Sequence, residues 1–141
     1  MIDVENLVFD KFYNGVTAER QDVNITRGFV EESAEYPMLA VHEVNNVPVM
    51  NTNTDDCAEN YTRVTYEVEA FSDSKDTARS ECRELLKLGD SVMQGMKFRR
   101  TFMSEPRNIL RTVWSAYARY TLIVRAGITV GNDTVFQVYR R

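Results

Sequence analysis

Residues Val64 to Leu86, VTYEVEAFSDSKDTARSECRELL, change period once along their length. Val64, Tyr66, Val68 and Ala70 alternate with Thr65, Glu67 and Glu69, as along a strand with one buried and one wet face. From Ala78 the apolar residues fall at helical spacing: Ala78, Cys82, Leu85, Leu86, Val92 and Met93. A second alternating segment follows at Ala116–Ala126, with Ala116, Ala118, Tyr120, Leu122 and Val124 on one side. Two one-sided strands and one striped helix hide their apolar faces only against each other. The expected fold is therefore α+β: a mostly antiparallel sheet packed on one main helix. Val64, Tyr66, Val68, Leu85, Leu86, Tyr120, Leu122 and Val124 should form its core. Gly89 falls on the helical stripe, where helix and sheet would approach closely.

The remaining segments fill in around this unit. Val4, Leu7, Val8, Lys11, Phe12 and Tyr13 suggest an additional N-terminal helix from Ile2 to about Val16, closed by Gly15. Val23–Phe29 reads as a short strand, and Tyr36–Val44 as another with Pro37 at its start or on an edge. Asn45–Asn60 reads as a long polar loop holding a short apolar patch, Val47, Val49 and Met50. Lys97–Met103 resumes strand alternation, SEPRN turns the chain, and Gly131-Asn132-Asp133 begins a hairpin into a last strand, TVFQVYR. With 141 residues, the whole of 1–141 is expected to be one domain with a single core.

Composition narrows the function classes. The net charge of −4 argues against a duplex binder held by counterion release. No apolar run reaches the roughly 18 residues of a membrane span, and the acidic start of the chain is unlike a signal peptide. Cys57 and Cys82 are too few for a disulfide framework, and a reducing cytoplasm is their natural setting. Cys82 falls on the buried stripe.

The strand–helix junction, FSDSKDT, has no glycine and two acids, so it reads as a helix cap by Ser72, Asp73 or Ser74 rather than a phosphate loop. Ser72 and Ser74 lack an evident general base. The lone histidine, His42, lies mid-strand and reads as structural. Asn51, Asn53 and Asp55 have the spacing of the first calcium-loop ligands, but Asp56 stands where glycine is needed and Thr62 where glutamate is needed. Two cysteines and one histidine far apart do not make a zinc site. The expectation is a protein without catalytic residues, metal or cofactor.

The candidate functional residues are those of an interface. Arg99, Arg100, Arg107 and Arg111 form the one dense positive cluster, flanked by Trp114 and Tyr117. Trp, Tyr and Arg are the types that most often anchor interfaces. A solvated face is the plain alternative. The apolar patch Val47, Val49 and Met50 is the second candidate, with Asp55, Asp56 and Glu59 facing water.

A set of short motifs appears in a characteristic order. Tyr36-Pro37 opens a strand that ends in Glu43 and Asn46; Tyr66, Val68 and Phe71 follow; then Ser74 and Lys75, a helix, Phe98-Arg99-Arg100-Thr101, and finally Arg119-Tyr120. This order, over about residues 36 to 126, resembles the tail terminator proteins of long-tailed bacteriophages, also called tail completion or tail-to-head joining proteins. The family usually has a shorter gap between its first two strands. The resemblance implies a virion structural protein that forms a homo-oligomeric ring, typically of six copies. Such a ring caps the tail tube at its head-proximal end, stops its polymerisation and meets the head connector proteins, and DNA passes through without specific binding. Assembly would take place in the host cytoplasm. Another head–tail connector or minor capsid component is the near alternative, and a small α+β binding or adaptor domain a further one.

Overall fold

A computed structural model describes residues 3–27, 35–49, 61–130 and 133–138. The chain runs α1 (Glu5–Glu19), β1 (Asn24–Thr26), β2 (Met38–Pro48), β3 (Tyr61–Ser72), α2 (Ala78–Gly95), β4 (Arg99–Met103), β5 (Arg107–Leu110), β6 (Val113–Val130) and β7 (Asp133–Val138). Two helices lie with a seven-stranded sheet of order β1-β2-β3-β6-β4. Among the described residues only β1 and β2 run parallel; the other pairings are antiparallel. The α+β architecture with an additional N-terminal helix is the one the alternation called for.

The long strand β6 organises the molecule. One side pairs with β3 from Trp114 to Arg125. Along the other side β5, β4 and β7 pair with it in succession, through Val113–Ser115, Ala118–Thr121 and Val124–Val130. β3 and β6 meet in register, Tyr66 opposite Tyr120 and Val68 opposite Ala118, so their apolar residues line one face together. The core closes over that face. Val8, Phe12 and Val16 come from α1 and Cys82, Leu85, Leu86 and Met93 from α2, while β3 and β6 supply Val64, Tyr66, Val68, Tyr120, Leu122 and Val124. All eight expected core residues are buried. A second small cluster, Met38, Ala40 and Phe71, lies on the opposite face.

Close approach at two glycines lets α1, α2 and the sheet share this core. A Cβ on Gly89 would stand 3.2 Å from Val68 Cγ1, as a glycine on the buried stripe requires. Gly15 does not end α1, which continues to Glu19; a Cβ there would stand 2.8 Å from Val92 Cγ1. Its absent side chain admits the neighbouring helix, a tertiary reason invisible in local sequence.

Several boundaries differ from expectation for physical reasons. The strand predicted at Tyr36–Val44 runs from Met38 to Pro48, so the first part of the predicted 45–60 loop is strand. It is held by pairing with β3 and by Thr62 Oγ1, which bonds the Asn46 side chain and the Val47 carbonyl. α2 starts at Ala78, and its N-cap Thr77 makes no side-chain cap bond. Ser72 instead donates to Glu81 at 2.6 Å and accepts from the Ser74 amide at 3.2 Å, which ties the strand end to the first turn of the helix. The SEPRN segment does not simply turn: Arg107–Leu110 is a strand, recruited by the exposed flank of β6. The predicted last strand is β7, paired with β6; the Gly131-Asn132 turn lies outside the described residues, as do Met50–Asn60 with the calcium-like spacing and Cys57.

Candidate assembly interface

The residues offered as interface groups fall at opposite edges of the sheet. β4 is one edge. α2 ends in two bonds that reverse the chain, Lys97 N–H to the Gln94 carbonyl at 2.9 Å and Phe98 N–H to the Met93 carbonyl at 3.1 Å. Lys97 adopts the left-handed conformation, with φ 76°. This Schellman closure aims Phe98 into the core and delivers Arg99–Met103 to the outside of β6. All five side chains of β4 are exposed.

Arg100 is not a free cation. Its guanidinium meets Asp90 Oδ1 at 3.2 Å, while Tyr120 Oη donates to the same oxygen at 2.8 Å and Gln94 to Oδ2 at 2.8 Å. The network joins β4, β6 and α2 across the helix-covered face. Burial and the acceptor Asp90 together push the Tyr120 phenol far above its ordinary value. Arg99 is exposed. On the uncovered face Phe102, 49% exposed, stacks on Tyr117 with ring centroids 5.4 Å apart, and Arg119 reaches over Tyr117 at 5.8 Å.

The other expected arginines lie further along the same flank and do not form one cluster with Arg99 and Arg100. Arg107 is exposed on β5, close enough to the half-buried Glu69 carboxyl to act on it electrostatically. Burial pushes Glu69 up, and Ser115 Oγ donates to it at 2.8 Å. Arg111 sits in the β5–β6 turn with φ 48°, held by Asn108 Nδ2 donating to its carbonyl at 2.7 Å. It lines a cleft of about 350 Å³ with Lys75, Arg79, Ser74, Thr112 and the half-buried Trp114. Beneath the cleft Cys82 Sγ donates to the Trp114 carbonyl at 3.1 Å.

β2 is the opposite edge. β1 covers only Met38–Ala40, and among the described residues no strand pairs with the outer side of β2 beyond that point. A bulge at Val44 re-aims the strand, leaving Val44 and Val47 44% and 46% exposed. Val49 is bonded through its amide to the Tyr61 carbonyl at 3.0 Å, and Met50 lies outside the described residues. Of the apolar patch, then, Val47 is placed as an exposed contact. Sequence reasoning missed the acids of this edge. Burial first, and then the charges of Glu5 and Asp3, raise the Glu43 carboxyl. The Tyr66 phenol, buried beside Glu43, is driven far upward by burial and by the same three acids. Asp3 and Glu5 are some forty residues from Glu43 in the chain, so no local motif links them.

His42 lies on the uncovered face 3.4 Å from Glu67, which is opposite Arg119 on β6. Among the described residues no group of three His, Cys, Asp or Glu side chains is placed to hold a metal ion, and no helix is long and apolar enough to cross a membrane. Neither a family model nor a curated protein matches the chain.

Proposed function

We propose that the protein is a tail-terminator subunit: a virion component that forms a ring on the phage tail tube, ends its polymerisation and joins tail to head. The observation that carries the reading is a sheet with two open and chemically unlike edges, the arginine-bearing β4 and the acid-flanked β2. A subunit with two different contact surfaces assembles head to tail, and such assemblies close into rings when the rotation permits. The ordered motifs support the same reading, because Tyr36-Pro37 leads directly into β2, and Glu43, Tyr66, Tyr120 and Arg100 fall on adjacent strands of one sheet. The ring's partners are further copies of the chain, the tube protein below and the connector above, with DNA passing through unbound.

Negative-stain microscopy of the purified protein, alone and with tail tubes, tests this. Rings seated at one end of tubes of arrested length are expected. Tubes that bind no protein at their ends and keep growing in its presence would exclude the reading.

A further inference from the structure

The pairing registers place residues of four strands in rows that cross the sheet from one open edge to the other. On the helix-covered face one row reads Arg100, Tyr120, Tyr66, Glu43. On the uncovered face the next reads Phe102, Arg119, Glu67, His42. Each row starts on β4 and ends on β2. The row on the helix side begins with a cation and ends with an acid. β4 is level with Val41–Asn45, all of which lies beyond the pairing of β1. Strand direction alternates through β2, β3, β6 and β4, so a β2 edge placed beside β4 in the same orientation would again be antiparallel. Both edges also carry an irregularity at this level, at Val44 and at Thr101. Bulges discourage indiscriminate pairing of an edge and leave side-chain chemistry to select the partner.

We propose that the partner of the β4 edge is the β2 edge of a second copy of this chain, with Arg100 set against Glu43, Glu5 and Asp3 of the neighbour on the helix-covered face and Arg99 level with the neighbour's Asn45 on the other. The contact is heterologous, so each copy keeps one edge free for the next. Continuing the row sets Arg100 beside the neighbour's Glu43 at the spacing of a cross-strand pair, about 4.5–5.5 Å between Cβ atoms, with Asp90, itself bonded by Tyr120, holding the guanidinium from behind. The charges are unevenly divided: Lys97, Arg99, Arg100 and Arg119 stand around β4 against Asp90 and Glu105, the latter paired with Arg83. Asp3, Glu5, Glu43 and Glu67 stand around β2 against Arg27, His42 and, opposite Val47, Arg63. Arg27 is already engaged by Asn6 at 2.8 Å and by the Phe9 ring at 4.2 Å. The proposal rests on the ring reading only for how many copies close the assembly.

Two chains, Arg99→Cys and Asn45→Cys, each made with Cys57→Ser so that the buried Cys82 is the one native cysteine left, are mixed under mild oxidation. A disulfide-linked dimer should form in the mixture and not in either chain alone. By sedimentation, Glu43→Arg should lower the wild-type oligomer mass to that of the monomer, and rising salt should weaken the wild-type association. Should Glu43→Arg fail to fold, the mixing experiment still decides. A discrete oligomer with no mixed crosslink would overturn the edge assignment and leave the ring reading standing. A monomer at the highest soluble concentration would overturn it as well, and the tube-capping reading would then be judged separately at tube ends.

Discussion

Lys97 shows how a single residue's backbone matters here. The Schellman closure of α2 needs a left-handed residue, usually glycine, and the chain places a lysine there while its nearby glycine, Gly95, is still helical. A Cβ in that conformation costs about 1–2 kcal/mol. Lys97→Gly should therefore stabilise the fold by about 1 kcal/mol, read as a higher denaturant midpoint at unchanged slope. Cys82 is a residue-scale case of burial: it is fully shielded, and desolvation pushes its thiol up to about 11. The folded chain holds that proton more tightly than the unfolded chain, whose thiol titrates near 8.5. The corresponding stability is whole below about 8.5 and is lost as pH rises toward about 11. Cys82→Ala should flatten the decline over that window, while Tyr66 and Tyr120, shifted the same way, still cause loss at higher pH. Thiol alkylation at pH 8 should reach Cys82 only in denaturant.

At the scale of elements, α2 is held to the sheet by burial along its stripe and by polar links such as Ser72 to Glu81, Cys82 to the Trp114 carbonyl and Arg100 to Asp90. Leu86, 2% exposed, packs in the main core, and Leu86→Ala should cost about 2–5 kcal/mol by chemical denaturation. Another of these links is Tyr120 to Asp90. Tyr120→Phe removes one donor but leaves Asp90 with Gln94 and Arg100, so a smaller loss of about 0.5–1.5 kcal/mol is expected. Arg100→Glu would set two carboxylates together at Asp90. Its effect on assembly is interpretable only beside a stability measurement, whereas Arg99→Glu touches none of these groups.

For the whole molecule, charge is segregated between edges more than it is large in sum. The net charge is −4, and the arginines are divided among β4, β5 and the Arg111 cleft. Duplex affinity grows with the number of phosphates neutralised together. Weak duplex binding is expected, with no sub-micromolar affinity near physiological salt. Sub-micromolar binding in a filter or anisotropy assay would move the arginine flank from subunit contact to nucleic-acid contact.

The strands around Tyr66 and Tyr120 and the helix stripe from Ala78 to Met93 were legible in the sequence, because burying one face writes a period of two or 3.6 directly into residue order. Their common core followed, since three one-sided elements have no other way to leave water. The arginines and Val47 were legible as residue types suited to contact, but not as members of opposite edges. That division depends on strand order, which no local period encodes. β5 is strand because β6 extends past β3's neighbours and offers an unpaired flank. Gly15 is helical because Val92 needs its space, and Glu43 is acidic company for Glu5 and Asp3 because α1 folds against β2. Local order wrote the elements; their adjacency, and with it the two edges, came from packing between residues far apart in the chain.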